Sequence, residues 1–211
     1  MSRGRPPCVT STVDRETELA VVERLRRGEA GAFDEIYAAF NVRLFTFLLR
    51  LSRRREVAED LLEETWLRLV KHATKLRADT RLAPWLFTVA RNLYVSFNRS
   101  RMLEDSATES MMALWPFVPE RTSPFEVVAA SELERRIERA LAALPAASRE
   151  VLLLVGVAGL DHSDAADICG VTPEALRQRL HRARAALSRA LDSDEAGEVP
   201  VLGEMTSCPS R

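Results

Sequence analysis

Arginine, glutamine and histidine side chains recur between residues 171 and 191, a segment in which Glu174 is the only acid. At about 100° per residue, these side chains fall on or beside one face of an α-helix. That face and its flanks carry Arg177, Gln178, Arg179, His181, Arg182 and Arg184. Arginine and glutamine read base edges in the major groove, and flanking cations contact phosphates. The spacing therefore predicts a DNA-contacting helix, with an Arg-rich solvated surface helix as the alternative.

The residues before this helix favour the DNA-contacting interpretation. Asp161 or Ser163 can cap a short preceding helix, and Gly170 supplies the backbone needed to end it. Thr172 then caps the next helix, with Pro173 at its first position. An apolar seam for packing is formed by Leu176, Leu180, Ala183 and Leu187. Together these features predict a helix-turn-helix.

A second candidate surface lies on a predicted helix from Glu56 to about Leu76. Its acids come early and its bases late, as the helix dipole favours. However, an acidic surface with an adjacent aromatic is more than the dipole requires, and it comprises Asp60, Glu63, Glu64 and Trp66. The segment is either a partner-binding surface or a helix whose charges are purely structural.

The third candidate is residues 84–101, which contain no acid. Pro84 is predicted at the first position of a helix whose buried side chains include Leu86 and Leu93. Off this seam lie Trp85, Arg91, Asn92 and Arg99. Aromatics, amides and arginines form a platform for a nucleic-acid strand because aromatics stack on bases. A single Trp at a helix start also serves simple packing.

The rest of the chain indicates an all-α protein. Helical periodicity recurs along its 211 residues, and no strand pattern is evident. We expect two small helical domains, residues 15–101 and 126–191, the second a helix-turn-helix domain. A flexible linker over 102–125 joins them, and an acidic flexible tail covers 192–211. Core positions include Tyr37 on the second helix and Leu133 on a helix beginning at Phe125.

Composition argues against several classes of protein. The three cysteines and three histidines are scattered, so we expect no catalytic site, metal site or cofactor. The apolar run Val151 to Leu160 is far shorter than the ~20 residues that span a bilayer. No secretory signal is evident. A non-enzymatic, cytoplasmic protein with no membrane association is expected.

Taken in order, these segments resemble bacterial sigma factors of the extracytoplasmic-function group. AEDLLEETWLRL (58–69) is similar to that family's helix for binding core RNA polymerase. TRLAPWLFTVARNLYVSFNRSR (80–101) is similar to the part that reads and melts the −10 element. ALAALPAASREVLLLVGVAGL (140–160) and GVTPEALRQRLHRAR (170–184) resemble the −35-reading domain.

The resemblance implies roles for the candidate residues. Asp60, Glu63, Glu64 and Trp66 would face the clamp helices of the largest polymerase subunit. The loop of Leu76, Arg77 and Asp79 would hold a flipped base of the −10 element, with Trp85, Arg91, Asn92 and Arg99 contributing to the same DNA contact. Arg177, Gln178, His181 and Arg182 would contact the −35 element, flanked by Arg179 and Arg184.

The partners implied are core RNA polymerase, through its clamp helices and flap, promoter DNA and an anti-sigma protein. Two departures concern the −35 preference: Glu174 and Ala175 replace the family's usual Gly-Thr pair, and Gln178 stands where a small Ser is common. Two alternatives stay open. One is a sigma-like decoy or regulator that binds polymerase or an anti-sigma protein without reading DNA, and the other is a conventional regulator that uses only its helix-turn-helix.

Overall fold

The computed structural model describes residues 15–109 and 132–196, and all regular elements in these ranges are helical. The helices are α1 (Arg15–Arg26), α2 (Ala30–Ser52), α3 (Arg55–His72), α4 (Leu82–Glu109), α5 (Glu132–Ala143), α6 (Ala146–Gly156), α7 (His162–Cys169) and α8 (Pro173–Ala196), with a 3₁₀ turn at Ala73–Lys75. The predicted all-α fold is confirmed. Within these ranges, no helix is long and apolar enough to cross a membrane.

Helix α2 is the centre of the N-terminal group. Leu44, Phe47 and Leu48 are completely buried, since their spacing places them on the side covered by α3 and α4. The ring of Phe87 on α4 meets Phe47 edge-on, with centroids 5.3 Å apart. Helix α2 is capped by Arg53, a left-handed residue whose N–H donates to the carbonyl of Leu49. This core fixes the directions in which α3 and α4 present their outer faces.

The C-terminal group packs α5, α6 and α7 against α8. Leu154, Leu176 and Leu180 are among its buried side chains. Arg149 is also buried, and its guanidinium donates to the carbonyls of Leu141, Ala142 and Leu144 at 2.9, 3.2 and 2.9 Å. These carbonyls lie at and just beyond the end of α5, where no N–H group of the helix is available to donate to them. Arg149 therefore acts as an internal cap.

Several predicted boundaries were wrong. Helix α4 starts at Leu82 rather than Pro84, because an N–H is not needed within the first turn and proline is tolerated there. It continues to Glu109, so the first eight residues of the predicted linker, 102–109, are helical. Likewise α8 continues to Ala196, beyond the predicted start of the tail. Both helices can continue because neither extension contains Gly or Pro, the residues that most disfavour a helix. The rest of the predicted linker, the predicted helix start at Phe125 and residues 197–211 lie outside the described residues.

Two predicted core residues are exposed. Tyr37 is 43% exposed and Leu133 is 61% exposed. Tyr37 lies on the side of α2 that faces α3, and Leu133 lies in the first turn of α5. Helix α3 ends at His72 rather than Leu76, and the 3₁₀ turn leads to Leu76. Periodicity identified the buried stripe of each helix but not its edges.

The two helical groups also contact one another. Helices α5 and α6 pack against α2, and α7 packs against α4. Composition and periodicity carried no prediction of this packing. It determines which of the candidate side chains are open to solvent.

Candidate nucleic-acid and partner interfaces

The caps of the helix-turn-helix form as predicted. The Asp161 carboxylate accepts a hydrogen bond from the N–H of Asp164 at 2.8 Å, and this bond is the main reason that the pKa of Asp161 is lowered. Gly170 adopts φ 64° at the end of α7, a left-handed conformation that suits glycine. Thr172 Oγ1 accepts from the N–H of Ala175 at 3.2 Å. These caps set the start of α8 and hence the direction of its outer face.

The outer face of α8 is exposed, while Leu176, Leu180 and Ala183 are buried behind it. One shallow concavity of about 410 Å³ is lined by Arg177, Gln178, His181 and Arg182. These are the four central residues that the helical projection selected. The arrangement combines base-reading and phosphate-binding side chains on a single convex helix.

Three neighbours modify this face. Glu174 lies 3.1 Å from Arg177 and partly neutralises it at the start of the helix. Arg184 is exposed, whereas Arg179 is half-buried and lines a second concavity with Arg182, next to Ser148 of α6. The face therefore has a neutralised N-terminal edge and a basic centre.

The loop before α4 is closed by an ion pair. Arg77 donates to both carboxylate oxygens of Asp79 at 2.9 and 3.0 Å, and this contact lowers the pKa of Asp79. Arg15 of α1 donates to the backbone carbonyl of Asp79 at 2.8 Å. Leu76 is buried, so its side chain forms part of the floor of the loop rather than an open contact. The loop therefore carries one exposed ion pair and one hydrogen bond to α1, above the buried side chain of Leu76.

The remaining candidates on α4 differ in exposure. Asn92 and Arg99 are exposed, and Trp85 is half-buried against the core. Arg91 donates through Nε to Glu150 of α6 at 2.8 Å, and the side chains of Arg91 and Glu150 are only 23% and 14% exposed. Arg91 therefore already has an anionic partner from the C-terminal group.

On α3, Asp60 and Glu63 are exposed, and Glu64 pairs with Arg68 at 2.9 Å. The prediction that Trp66 lies open beside these acids was wrong, since it is only 7% exposed. Its Nε1 donates to the side-chain oxygen of Asn41 at 3.1 Å, because a buried indole N–H needs an acceptor. The exposed apolar side chains beside these acids belong to other residues of α3.

A groove of about 480 Å³ runs between α2 and α3. Its lining comprises Phe33, Tyr37, Asn41, Phe45, Glu59, Leu62, Glu63, Trp66, Leu67 and Val70. Leu67 and Val70 are 56% and 57% exposed. Leu67 and Val70 were not among the residues predicted for this surface, although they follow Asp60 and Glu63 at helical spacing and so share one face. An exposed apolar strip bordered by acids is typical of a protein-docking surface.

Comparison with known proteins places this arrangement in a family. The Sigma-70 region 2 profile matches residues 36–104, and the Sigma-70, region 4 profile matches residues 134–187. The chain is 35% identical over 164 residues to the ECF RNA polymerase sigma factor EcfG of Rhodopseudomonas palustris, covering 77% of this chain and 86% of the relative. The chain belongs to the extracytoplasmic-function sigma factors.

Two further comparisons support this family assignment. This sigma factor is 32% identical over 170 residues to the RNA polymerase sigma factor CarQ of Myxococcus xanthus, covering 76% of this chain and 90% of the relative. It also resembles the solved structure of the sigma factor RpoE in complex with the anti-sigma factor NepR from Bartonella quintana. That match has a TM-score of 0.59 and 26% identity, and covers 85% of this chain and 96% of the other.

The two matched regions contain the candidate surfaces of this sigma factor. Region 2 includes the α2–α3 groove, the loop at Leu76 and the α4 face, and region 4 includes the helix-turn-helix. Sigma factors in general are not enzymes. Within residues 15–109 and 132–196, no group of three or more His, Cys, Asp or Glu side chains is placed to hold a metal ion.

Proposed function

We propose that this sigma factor binds core RNA polymerase, directs it to promoters with −35 and −10 elements, and opens the −10 region. The observation that carries the proposal is the exposed basic face of α8 on a capped helix-turn-helix. We assign promoter opening to residues 15–101, −35 reading to residues 126–191 and a joining role to residues 102–125, eight of which extend α4. The acidic segment 192–211 has no assigned role.

The −35 element is read by the centre of α8. Arg177, Gln178, His181 and Arg182 face base edges, while Arg179 and Arg184 contact phosphates on either side. The Glu174–Arg177 pair is exposed and therefore weak, so Arg177 can exchange Glu174 for a base edge or a phosphate. A good bidentate contact supplies roughly 1–3 kcal/mol of discrimination between bases.

The −10 element is held by the loop at Leu76, Arg77 and Asp79 and by the α4 side chains Trp85, Arg91, Asn92 and Arg99. Extruding a base from the duplex costs a few kcal/mol. The Arg77–Asp79 pair and the hydrogen bond from Arg15 support a preformed pocket, because both favour the loop conformation seen here. The half-buried Trp85 stacks its ring face on an unpaired base.

The α2–α3 groove binds the clamp helices of the largest polymerase subunit. Asp60, Glu63 and Glu64 supply charge, and Leu67 and Val70 supply apolar contact. Trp66 contributes only a small part of the groove lining and supports the groove from below. The C-terminal helices dock on the polymerase flap. An anti-sigma protein is a further partner, since a relative was solved with one, and the chain acts in the cytoplasm with the polymerase.

Run-off transcription tests the proposal. Purified core polymerase is incubated with fragmented genomic DNA, with and without this protein. New discrete start sites that share upstream elements are expected. Tight polymerase binding without new starts would favour the decoy, against which the exposed basic face of α8 argues. A conventional regulator would give no starts with core polymerase alone and would change only the starts made by a polymerase that already carries another sigma factor.

A further inference from the structure

Helix α1 contacts the loop that is assigned to the −10 element. This helix lies outside the stretch matched by the Sigma-70 region 2 profile, which begins at residue 36. Arg15 donates to the backbone carbonyl of Asp79 at 2.8 Å, and the carboxylate of Glu18 accepts from the backbone N–H of Leu82 at 2.7 Å. Both contacts join residues that are 64 apart in the sequence. One turn of α1 therefore runs alongside the end of the loop and holds it at two points.

The Glu18 carboxylate also closes the N-terminus of α4. Leu82 is the first residue of that helix, so its N–H has no acceptor within the helix. Glu18 acts as a cap supplied by another helix, and its negative charge lies at the positive end of the α4 dipole. Because the loop ends where α4 begins, the same hydrogen bond joins the end of the loop to α1.

The two side chains of α1 are themselves held in place. Arg15 lies 2.6 Å from Glu18, and the Glu18 side chain is only 15% exposed. A partly buried carboxylate needs such partners, and Glu18 has both a cation and a backbone N–H. On the same helix Val21, Val22 and Leu25 are buried, and α1 packs against α2 and the 3₁₀ turn. The loop is therefore joined to a helix that belongs to the core.

These contacts act on the backbone of residues that the proposed function uses. The Asp79 carboxylate pairs with Arg77, whereas the Asp79 carbonyl is bound by Arg15. A loop that is already ordered binds its ligand more tightly, because less conformational freedom is lost on binding. A mobile loop also adapts to a different base, so discrimination between bases depends on how firmly the loop is held.

We infer that Arg15 and Glu18 are positioning residues for −10 recognition: they hold residues 76–82 in the conformation that accepts the flipped base. They act through the loop and do not themselves touch DNA. The inference rests on the proposed function for the identity of the ligand. The connection between α1 and the loop rests on the two hydrogen bonds alone.

The test compares Glu18→Ala with Glu23→Ala in the full chain assembled with core polymerase. Glu23 is a matched control because it forms an ion pair of the same spacing and length, with Arg26 at 2.6 Å, and its other cation is the neighbouring Arg27. Glu18→Gln is the conservative variant, since its amide oxygen can still accept from Leu82. Circular dichroism verifies that each variant is helical.

The measurement is transcription from a promoter found by the run-off experiment, with each −10 base replaced in turn and each −35 base replaced in a second series. Discrimination is the ratio of transcription from the original template to that from a substituted template. This ratio does not depend on the amount of active protein, so a loss of stability alone leaves it unchanged.

We expect Glu18→Ala to lower the ratio on the order of tenfold at a −10 position, which is the effect of losing a hydrogen bond to a charged group. Arg15→Met should lower it by less, because Arg15 is 43% exposed. Glu18→Gln should lie nearer the wild type, and Glu23→Ala should match it. Unchanged −10 ratios in Glu18→Ala, or an equal loss in the −35 ratios or in Glu23→Ala, would overturn the inference.

Hydrogen exchange in the free chain separates this inference from the proposed function. The Leu82 amide should exchange faster in Glu18→Ala, on the order of tenfold, and at the wild-type rate in Glu23→Ala. Unchanged Leu82 exchange in Glu18→Ala would overturn the inference whatever the transcription result. Faster exchange, together with a wild type that gives no promoter-specific starts, would contradict the proposed function and still confirm that α1 holds the loop.

Discussion

The indole N–H of Trp66 donates to the side-chain oxygen of Asn41, so the floor of the α2–α3 groove is tied together across residues 25 apart in the sequence. The rings of Phe33 and Tyr37 lie against the same indole, with centroids 5.8 and 5.0 Å away. Trp66 therefore forms only a small part of the groove lining and mainly supports the residues around it. This separates the contribution of Trp66 to stability from the contribution of its neighbours to polymerase binding.

Replacing Trp66 should reduce stability in proportion to what is removed. Trp66→Phe removes the hydrogen bond and should lower the free energy of unfolding by about 1 kcal/mol. Trp66→Ala also leaves a cavity and should lower it by about 3–5 kcal/mol. Urea denaturation measures both. If Trp66→Ala abolished polymerase binding with unchanged stability, Trp66 would be a direct contact instead.

Reversing the charge of Asp60 should abolish polymerase binding without reducing the stability of the protein. Asp60 is exposed, so Asp60→Lys should leave the free energy of unfolding within about 0.5 kcal/mol of the wild type. Co-purification with core polymerase should nevertheless be lost, because a cation replaces an anion on the docking face. Glu16→Lys on α1 is the matched control and should retain binding. Equal polymerase retention by both variants would remove Asp60 from the interface.

The centre of α8 should determine promoter choice. Arg182→Ala should reduce transcription from −35-dependent promoters roughly 5- to 150-fold, which corresponds to the ~1–3 kcal/mol of a base contact. Polymerase affinity should not change. Arg189→Ala on the same helix, outside the concavity, serves as the control. An equal loss of polymerase affinity and transcription in Arg182→Ala would contradict the role assigned to this face.

Among the charged residues of the C-terminal helices that the structure describes, Arg149 is the one whose replacement should destabilise the protein most, because its side chain is buried. Its burial lowers the pKa of its guanidinium, and the nearby charge of Arg53 acts in the same direction. Arg149→Met should lower the free energy of unfolding by about 3 kcal/mol, because several buried carbonyls lose their donor. Arg139→Met, on the exposed side of α5, should change it by less than about 0.5 kcal/mol. Thermal denaturation of the two variants distinguishes capping from ordinary charge loss.

The cap at Asp161 should show a defined pH dependence. At neutral pH, Asp161→Ala should lower the free energy of unfolding by about 1 kcal/mol, and Asp161→Asn by less because an amide oxygen still accepts. The pKa of Asp161 is lowered on folding, so its stabilising effect is complete above about pH 4 and is lost as the pH falls through the folded-state pKa. The difference between wild type and Asp161→Ala should therefore shrink below pH 4. A difference that grew on acidification would mean that the carboxylate is not the capping group.

Local signals in the sequence were enough to predict the helix-turn-helix. Asp161, Gly170 and Thr172 act within a few residues of their partners, and the seam of α8 repeats at helical spacing. Such short-range interactions can be predicted without knowledge of the fold. The outer face of α8 follows directly from the seam, which explains why its residues could be selected before the structure was known.

Features that depend on distant partners could not be predicted. The burial of Trp66 depends on Asn41, and the pairing of Arg91 depends on Glu150, 59 residues away. Periodicity shows which side of a helix is apolar but not which helix covers it. Hence Tyr37 was assigned to the core and Arg91 to an open surface, and only the packing of the helices decided otherwise.

The pairing of arginines with acids across the two groups also affects how the free protein meets the chromosome. Non-specific attraction to DNA grows with the number of phosphates that cations can neutralise. In this chain of net charge −1, the pairing of Arg91 with Glu150 and of Arg81 with Asp164 removes two cations from that attraction. The exposed arginines of α8, such as Arg182 and Arg184, keep theirs, so bulk DNA should contact the same helix face that reads a promoter.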